Sequence, residues 1–191
     1  MKLGGIHNFS TVPVKTCASG VPCAEHCYAM KAWRCYPSVR AAWGENTRLL
    51  QEEHKYTEFT KDLVDHILKH DLEYFRFSVA GDIFCNEYLD AIVKIAEECP
   101  TTYFWLYTKQ YEVLARHIKA RKTLPDNLSI IVSEWNDYKP SEELSAIFGR
   151  ALYNDGSKEM PEKGFECPSD CRECKYCATM NSGDIVIFNK H

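Results

Sequence analysis

Three apolar runs in the middle of the chain, residues 74–80 (YFRFSVA), 102–107 (TYFWLY) and 128–132 (LSIIV), have strand length and are rich in aromatic and β-branched residues. Each runs into polar residues: Gly81-Asp82 after the first, Thr108-Lys109 after the second, and Ser133-Glu134-Trp135-Asn136 after the third. Helical periodicity fills the intervals. Residues 87–96 place Leu89, Ile92, Val93 and Ala96 on one face, and residues 111–120 and 58–70 form two further candidate helices. Pro100 and Pro125 mark returns from helix to strand. Alternation of this kind predicts an α/β fold with parallel strands and right-handed crossovers, either a partial TIM-type (β/α) barrel or an open parallel sheet. Residues 8–16 are expected to supply a first strand, and Ile185-Val186-Ile187-Phe188 a last one.

Residues 137–183 are poor in strand pattern and contain Gly156, Pro161, Gly164 and Pro168, which predicts an irregular C-terminal excursion rich in cysteine. The expected division is therefore an α/β core over residues 1–136, and a cysteine-rich segment with a final strand over residues 137–191. In parallel α/β sheets and barrels ligands bind at the carboxyl ends of the strands. That rule gathers the loop after the first strand, Gly81, Asp82, Lys109, Ser133 and Glu134 at one candidate site.

The 45% hydrophobic and 26% charged content is that of a folded chain, and a net charge of -4 makes no general case for a nucleic-acid partner. One local stretch, Arg34, Arg40 and Arg48 with Trp33, Tyr36 and Trp43, keeps nucleic acid as a secondary partner. The first residues lack the apolar core of a signal peptide, and no run is long enough to span a membrane. A cytoplasmic protein with reduced thiols is expected.

Seven of the ten cysteines lie in two clusters. Cys17, Cys23 and Cys27 form C-x5-C-x3-C, followed directly by Tyr28; Cys167, Cys171, Cys174 and Cys177 form C-x3-C-x2-C-x2-C. Thiols at such spacing suit a soft metal or an iron–sulfur cluster. Three ligands would leave one iron of a cubane 4Fe–4S cluster open to a small molecule. Four would close a second, auxiliary cluster, or a zinc site as its less favoured occupant. Cys35 could close the first site; its alternative is a half-buried thiol on the helix after the loop. Cys85, just past Gly81-Asp82, is the candidate reactive residue, with simple burial as its alternative. Asp82 could equally cap the following helix.

The Cys17–Cys23–Cys27–Tyr28 loop, the Ala80-Gly81-Asp82 turn and the strand–helix repetition resemble the radical S-adenosylmethionine superfamily, although its common spacing is C-x3-C-x2-C. A closer resemblance is to the phage gene product 88 family, carried by TCASGVPCAEHCYAMKAWRCYPSVRAAWGEN, FRFSVAGDIFCNEYLD, YFWLYTK and CPSDCRECKYCATMNSGDIVIFNKH. These resemblances imply a phage-encoded iron–sulfur enzyme in a bacterial host's cytoplasm. It would carry two 4Fe–4S clusters, S-adenosylmethionine as a small-molecule cosubstrate and an electron donor as partner. Tyr28, Gly81, Asp82, Lys109, Ser133 and Glu134 would line the cosubstrate pocket. The rival expectations are a non-enzymatic iron–sulfur protein for electron transfer or redox and iron sensing, and a zinc-stabilised interaction module.

Overall fold

The structure, a computed structural model, describes residues 4–120, 122–135 and 137–190; Asn136, at the end of the third expected strand, and the terminal His191 lie outside the described residues. Seven strands form one sheet: β1 (His7–Phe9), β2 (Tyr74–Phe77), β3 (Tyr103–Thr108), β4 (Leu128–Glu134), β5 (Gly149–Asn154), β6 (Phe165–Glu166) and β7 (Ile185–Asn189). Their order is β1-β2-β3-β4-β5-β7-β6, and every pairing is parallel. The fold is thus an open, parallel seven-stranded α/β sheet, an arrangement compatible with a partial barrel.

The helices are α1 (Tyr28–Cys35), α2 (Pro37–Thr47), α3 (Tyr56–Lys69), α4 (Asn86–Glu98), α5 (Tyr111–Lys119), α6 (Glu142–Ile147) and α7 (Cys171–Cys174). Strand alternation explains why the sheet needs cover on both faces. In β2 the fully enclosed Phe75 and Phe77 point one way, and the partly buried Tyr74 and Arg76 point the other. The first face packs on helices α3, α4 and α5: Phe75, Phe77, Phe104, Leu106, Ile130 and Val132 meet Ile67, Leu89, Ile92, Ile95 and Leu114. Enclosing each such side chain contributes roughly 1.5–3 kcal/mol, so this layer holds most of the hydrophobic stabilisation. Ser141 caps α6, its hydroxyl accepting from the Leu144 amide at 3.3 Å.

The second face is covered from the C-terminal side. Between β5 and β7 the chain makes β6, α7 and a 3-10 turn (Tyr176–Thr179), and it buries Ala178 and Met180 against Trp105, Ile131, Ala151 and Val186. The Ser129 hydroxyl donates to the carbonyls of Met180 at 2.9 Å and Ala178 at 3.2 Å, which fastens this segment to β4. Residues 137–183, expected to be irregular, contain α6, β5, β6 and α7. The strand β5 (GRALYN) was not legible because it has no long apolar run. It is a strand because β4 and β7 both pair with it. Among the described residues no helix is long and apolar enough to cross a membrane.

Candidate functional site at the carboxyl ends of the strands

The loop after β1 is threaded against the end of β2 by short polar contacts. The Thr11 amide donates to the Ala80 carbonyl at 3.1 Å, and the Thr11 and Thr16 hydroxyls lie 2.9 Å apart, both buried. The Asp82 amide donates to Thr16 Oγ1 at 3.3 Å. Gly81 sits at the centre of this joint with φ of 72°, and a Cβ there would overlap both threonine hydroxyls. Only glycine meets both demands. Val14 (φ 68°) and Ser78 (φ 53°) also adopt left-handed backbone in these loops. Such conformations cost of order 1–3 kcal/mol each and cluster at functional sites.

Asp82 links the ends of β2 and β3. Its carboxylate accepts from the Ile83 amide at 2.8 Å and the Lys109 amide at 2.9 Å. Burial pushes its pKa up from the ordinary 3.8 to about 6, against the pull of the Thr108 hydroxyl, the two amides and the Lys109 charge. It does not cap α4, whose N-cap is Cys85. Lys109 Nζ donates to Ser133 Oγ at 2.8 Å and lies 6.0 Å from the centre of the Trp135 ring, which stacks on Tyr153 at 3.9 Å. Tyr111 donates to the Ser133 carbonyl at 2.6 Å, Tyr138 to the Lys109 carbonyl at 3.3 Å, and Gln110 Nε2 to the Thr16 carbonyl at 3.2 Å. Lys109 and Ser133 are therefore held by several backbone contacts in one place. The Tyr28 ring is largely exposed, at 70%, and its hydroxyl donates to the Val79 carbonyl at the end of β2.

The structure thus brings Tyr28, Gly81, Asp82, Lys109 and Ser133 to one end of the sheet. Glu134 is at the same end but turned away. It is 6% exposed, and Arg150 Nε donates to its carboxylate at 2.6 Å. Cys85 lies on the helix side, its sulfur 3.2 Å from the Tyr56 hydroxyl. Thr11, Thr16, Tyr111, Tyr138 and Arg150 were missed by sequence reasoning; they carry no motif, and only the fold shows what they hold. Two concavities among the described residues lie elsewhere. One of about 210 Å³ opens between Phe9, Leu50 and Phe59, and one of about 380 Å³ lies by Gly5, His7, Asp71 and Arg172. The candidate site is marked by its convergent polar chemistry.

The cysteines correct the metal expectation. Among the described residues no group of three or more His, Cys, Asp or Glu side chains is arranged to hold a metal ion, and no disulfide joins two cysteines. Cys17, Cys23 and Cys27 share a neighbourhood, yet burial first and the Asp82 charge second push Cys17 up to about 12. Burial likewise pushes Cys177 up to about 11, beside Cys167 and Cys171. Without such a group among the described residues, the donor sets do not fit an open 4Fe–4S cluster at Cys17, Cys23 and Cys27. Nor do they fit a 4Fe–4S or zinc site at Cys167, Cys171, Cys174 and Cys177. The radical S-adenosylmethionine enzyme, the electron-transfer or sensing iron–sulfur protein and the zinc module all fall with that finding. Close sequence spacing brought the sulfurs near one another without aiming them at a common point.

Cys35 is exposed at the end of α1 rather than half-buried. Maleimide labelling followed by peptide mapping should find Cys35 modified first and Cys17, Cys177 and the buried Cys99 last. Labelling of Cys17 as early as Cys35 would contradict the burial described.

Fold and cleft together define an α/β protein with a polar site at the carboxyl ends of a parallel sheet. Residues 3–155 match the profile of the gene product 88 family, and the chain belongs to that family. The match ends before the four C-terminal cysteines and carries no tie to radical S-adenosylmethionine proteins. Among curated proteins and among solved structures nothing matches the chain.

Proposed function

We propose that this gene product 88 family protein binds a polar small molecule in the cleft at the ends of β1 to β4. Lys109 and Ser133 form its hydrogen-bonding centre, Gly81 and Asp82 its rigid floor and Tyr28 an aromatic wall. The observation that carries the reading is the state of Lys109. Its ammonium is bonded to the neutral Ser133 hydroxyl, and among the described residues no carboxylate pairs with it. An ammonium has three donors, so further positions are open to a ligand's acceptors. A strand-end lysine serving only solubility would need neither the serine nor the surrounding tyrosine hydroxyls that fix its backbone. Parallel sheets present ligand sites at this end for a general reason: loops vary there while the strands beneath stay rigid.

Ligand-observed NMR with a panel of nucleosides, nucleotides, amino acids and hydroxy acids tests the reading. At least one member is expected to bind the wild type, and Lys109→Met to weaken it by about tenfold, the loss of a charged hydrogen bond. Ser133→Ala should weaken it less, with little change in melting temperature. Binding by no member, or binding indifferent to Lys109→Met, would overturn the proposal.

A further inference from the structure

On the sheet face covered by the C-terminal segment, Arg76 has no ion-pair partner among the described residues. Arg76 projects from the middle of β2, in register with Trp105 of β3. Its Nε is enclosed with no hydrogen-bond partner, and among the described residues no carboxylate forms an ion pair with it. The guanidinium carbon stands 4.9 Å from the centre of the Tyr107 ring. Its positive charge is felt by the Tyr28 hydroxyl on one side, and by the Tyr107 hydroxyl and the Cys177 thiol on the other. Aromatic hydroxyls and a sulfur are thus among its neighbours.

That combination is costly for the protein alone. A chain with 27 acidic residues has placed none of them beside an arginine whose Nε is withdrawn from water. Stacking on Tyr107 recovers about 0.5–2 kcal/mol, but it satisfies no N–H donor. An enclosed donor without a partner costs roughly 1–3 kcal/mol and calls for an explanation. Arg76 keeps partial exposure, so part of its planar fork of donors stays within reach of solvent and of a ligand. A fork of this geometry matches two oxygens of a carboxylate or a phosphate.

We propose that Arg76 is the centre of an oxyanion-binding site on this face, taking the carboxylate or phosphate of a small molecule between Tyr28 and Tyr107. The site lies below the strand ends, shares Tyr28 with the cleft but uses neither Lys109 nor Ser133, and stands whether or not the cleft above it binds a ligand.

The test observes the Arg76 Nε–H resonance of the whole protein by NMR, identified by its loss in Arg76→Lys. Inorganic phosphate and acetate are titrated separately against chloride at matched ionic strength. A saturable shift of Arg76 with phosphate alone assigns a phosphoryl ligand; with acetate alone, a carboxylate; with both, either oxyanion. Each supports the site, and affinity in Arg76→Gln should then fall by about tenfold or more. Lys109→Met should leave the titration unchanged, which separates this site from the cleft above. If neither anion gives a saturable shift of the wild-type resonance, the site does not exist and Arg76 serves only to stack on Tyr107.

Discussion

Gly81→Ala is expected to destabilise the protein by about 3–4 kcal/mol and lower its melting temperature by roughly 10 °C. Two effects add. A left-handed φ of 72° costs an L-residue about 1–2 kcal/mol, and the new methyl would overlap Thr11 Oγ1 and Thr16 Oγ1. Those hydroxyls cannot simply retreat: both are buried, they are 2.9 Å apart, and Thr16 also accepts the Asp82 amide. Overpacking of this kind adds about 1–3 kcal/mol. Gly183→Ala is the internal control. Its φ is 86° but a Cβ there meets nothing within 4 Å, so only the backbone cost of about 1–2 kcal/mol should appear. Urea denaturation of both variants isolates the contact at Gly81. Equal losses would mean that the cysteine loop is not held against β2 as described.

The second large effect is a pH dependence assigned to Asp82. Its carboxyl is raised from 3.8 to about 6 in the folded protein, chiefly by burial. Between those values the native state binds more protons than the unfolded chain. Stability from this group is therefore fully present below about pH 4 and is lost as pH rises through 6, by about 3 kcal/mol in all. Other carboxylates, such as Asp137 and Asp170 held low by Lys158 and Arg172, slope the opposite way, so the comparison must be with Asp82→Asn. That variant keeps the size but offers one acceptor where Ile83 and Lys109 amides need two, a roughly constant cost of about 1 kcal/mol. Unfolding free energies at pH 4, 5, 6 and 7 should show the wild-type advantage shrinking toward neutral pH. An advantage that grows with pH would mean the carboxylate is stabilised in its ionised form.

The legible parts of this molecule were those where one face decides the outcome. β2, β3 and β4 read as strands because their aromatic and β-branched runs are buried by the sheet itself, and α3, α4 and α5 because their apolar stripes meet it. The gathering of Gly81, Asp82, Lys109 and Ser133 was legible from the parallel-sheet rule. β5 was not, since Gly149, Arg150 and Asn154 interrupt any apolar pattern and tertiary pairing alone makes it a strand. Glu134 could not be separated from Ser133 in sequence, although one residue of strand period turns it to Arg150. The cysteine spacings misled for a related reason. Spacing sets how near sulfurs come, while burial and direction set whether they act together, and neither is written in a C-x-C pattern. Arg76, by contrast, left a readable trace as the one charge inside the alternating YFRF run.

The most direct test of the strand-end site is amide chemical-shift mapping with the tightest-binding member of the metabolite panel. Shifts concentrated at Gly81, Asp82, Lys109, Gln110, Ser133 and Glu134, and lost in Lys109→Met, are the predicted result. Shifts concentrated instead in the groove by Gly5, His7, Asp71 and Arg172, at the opposite end of the strands, would contradict the account.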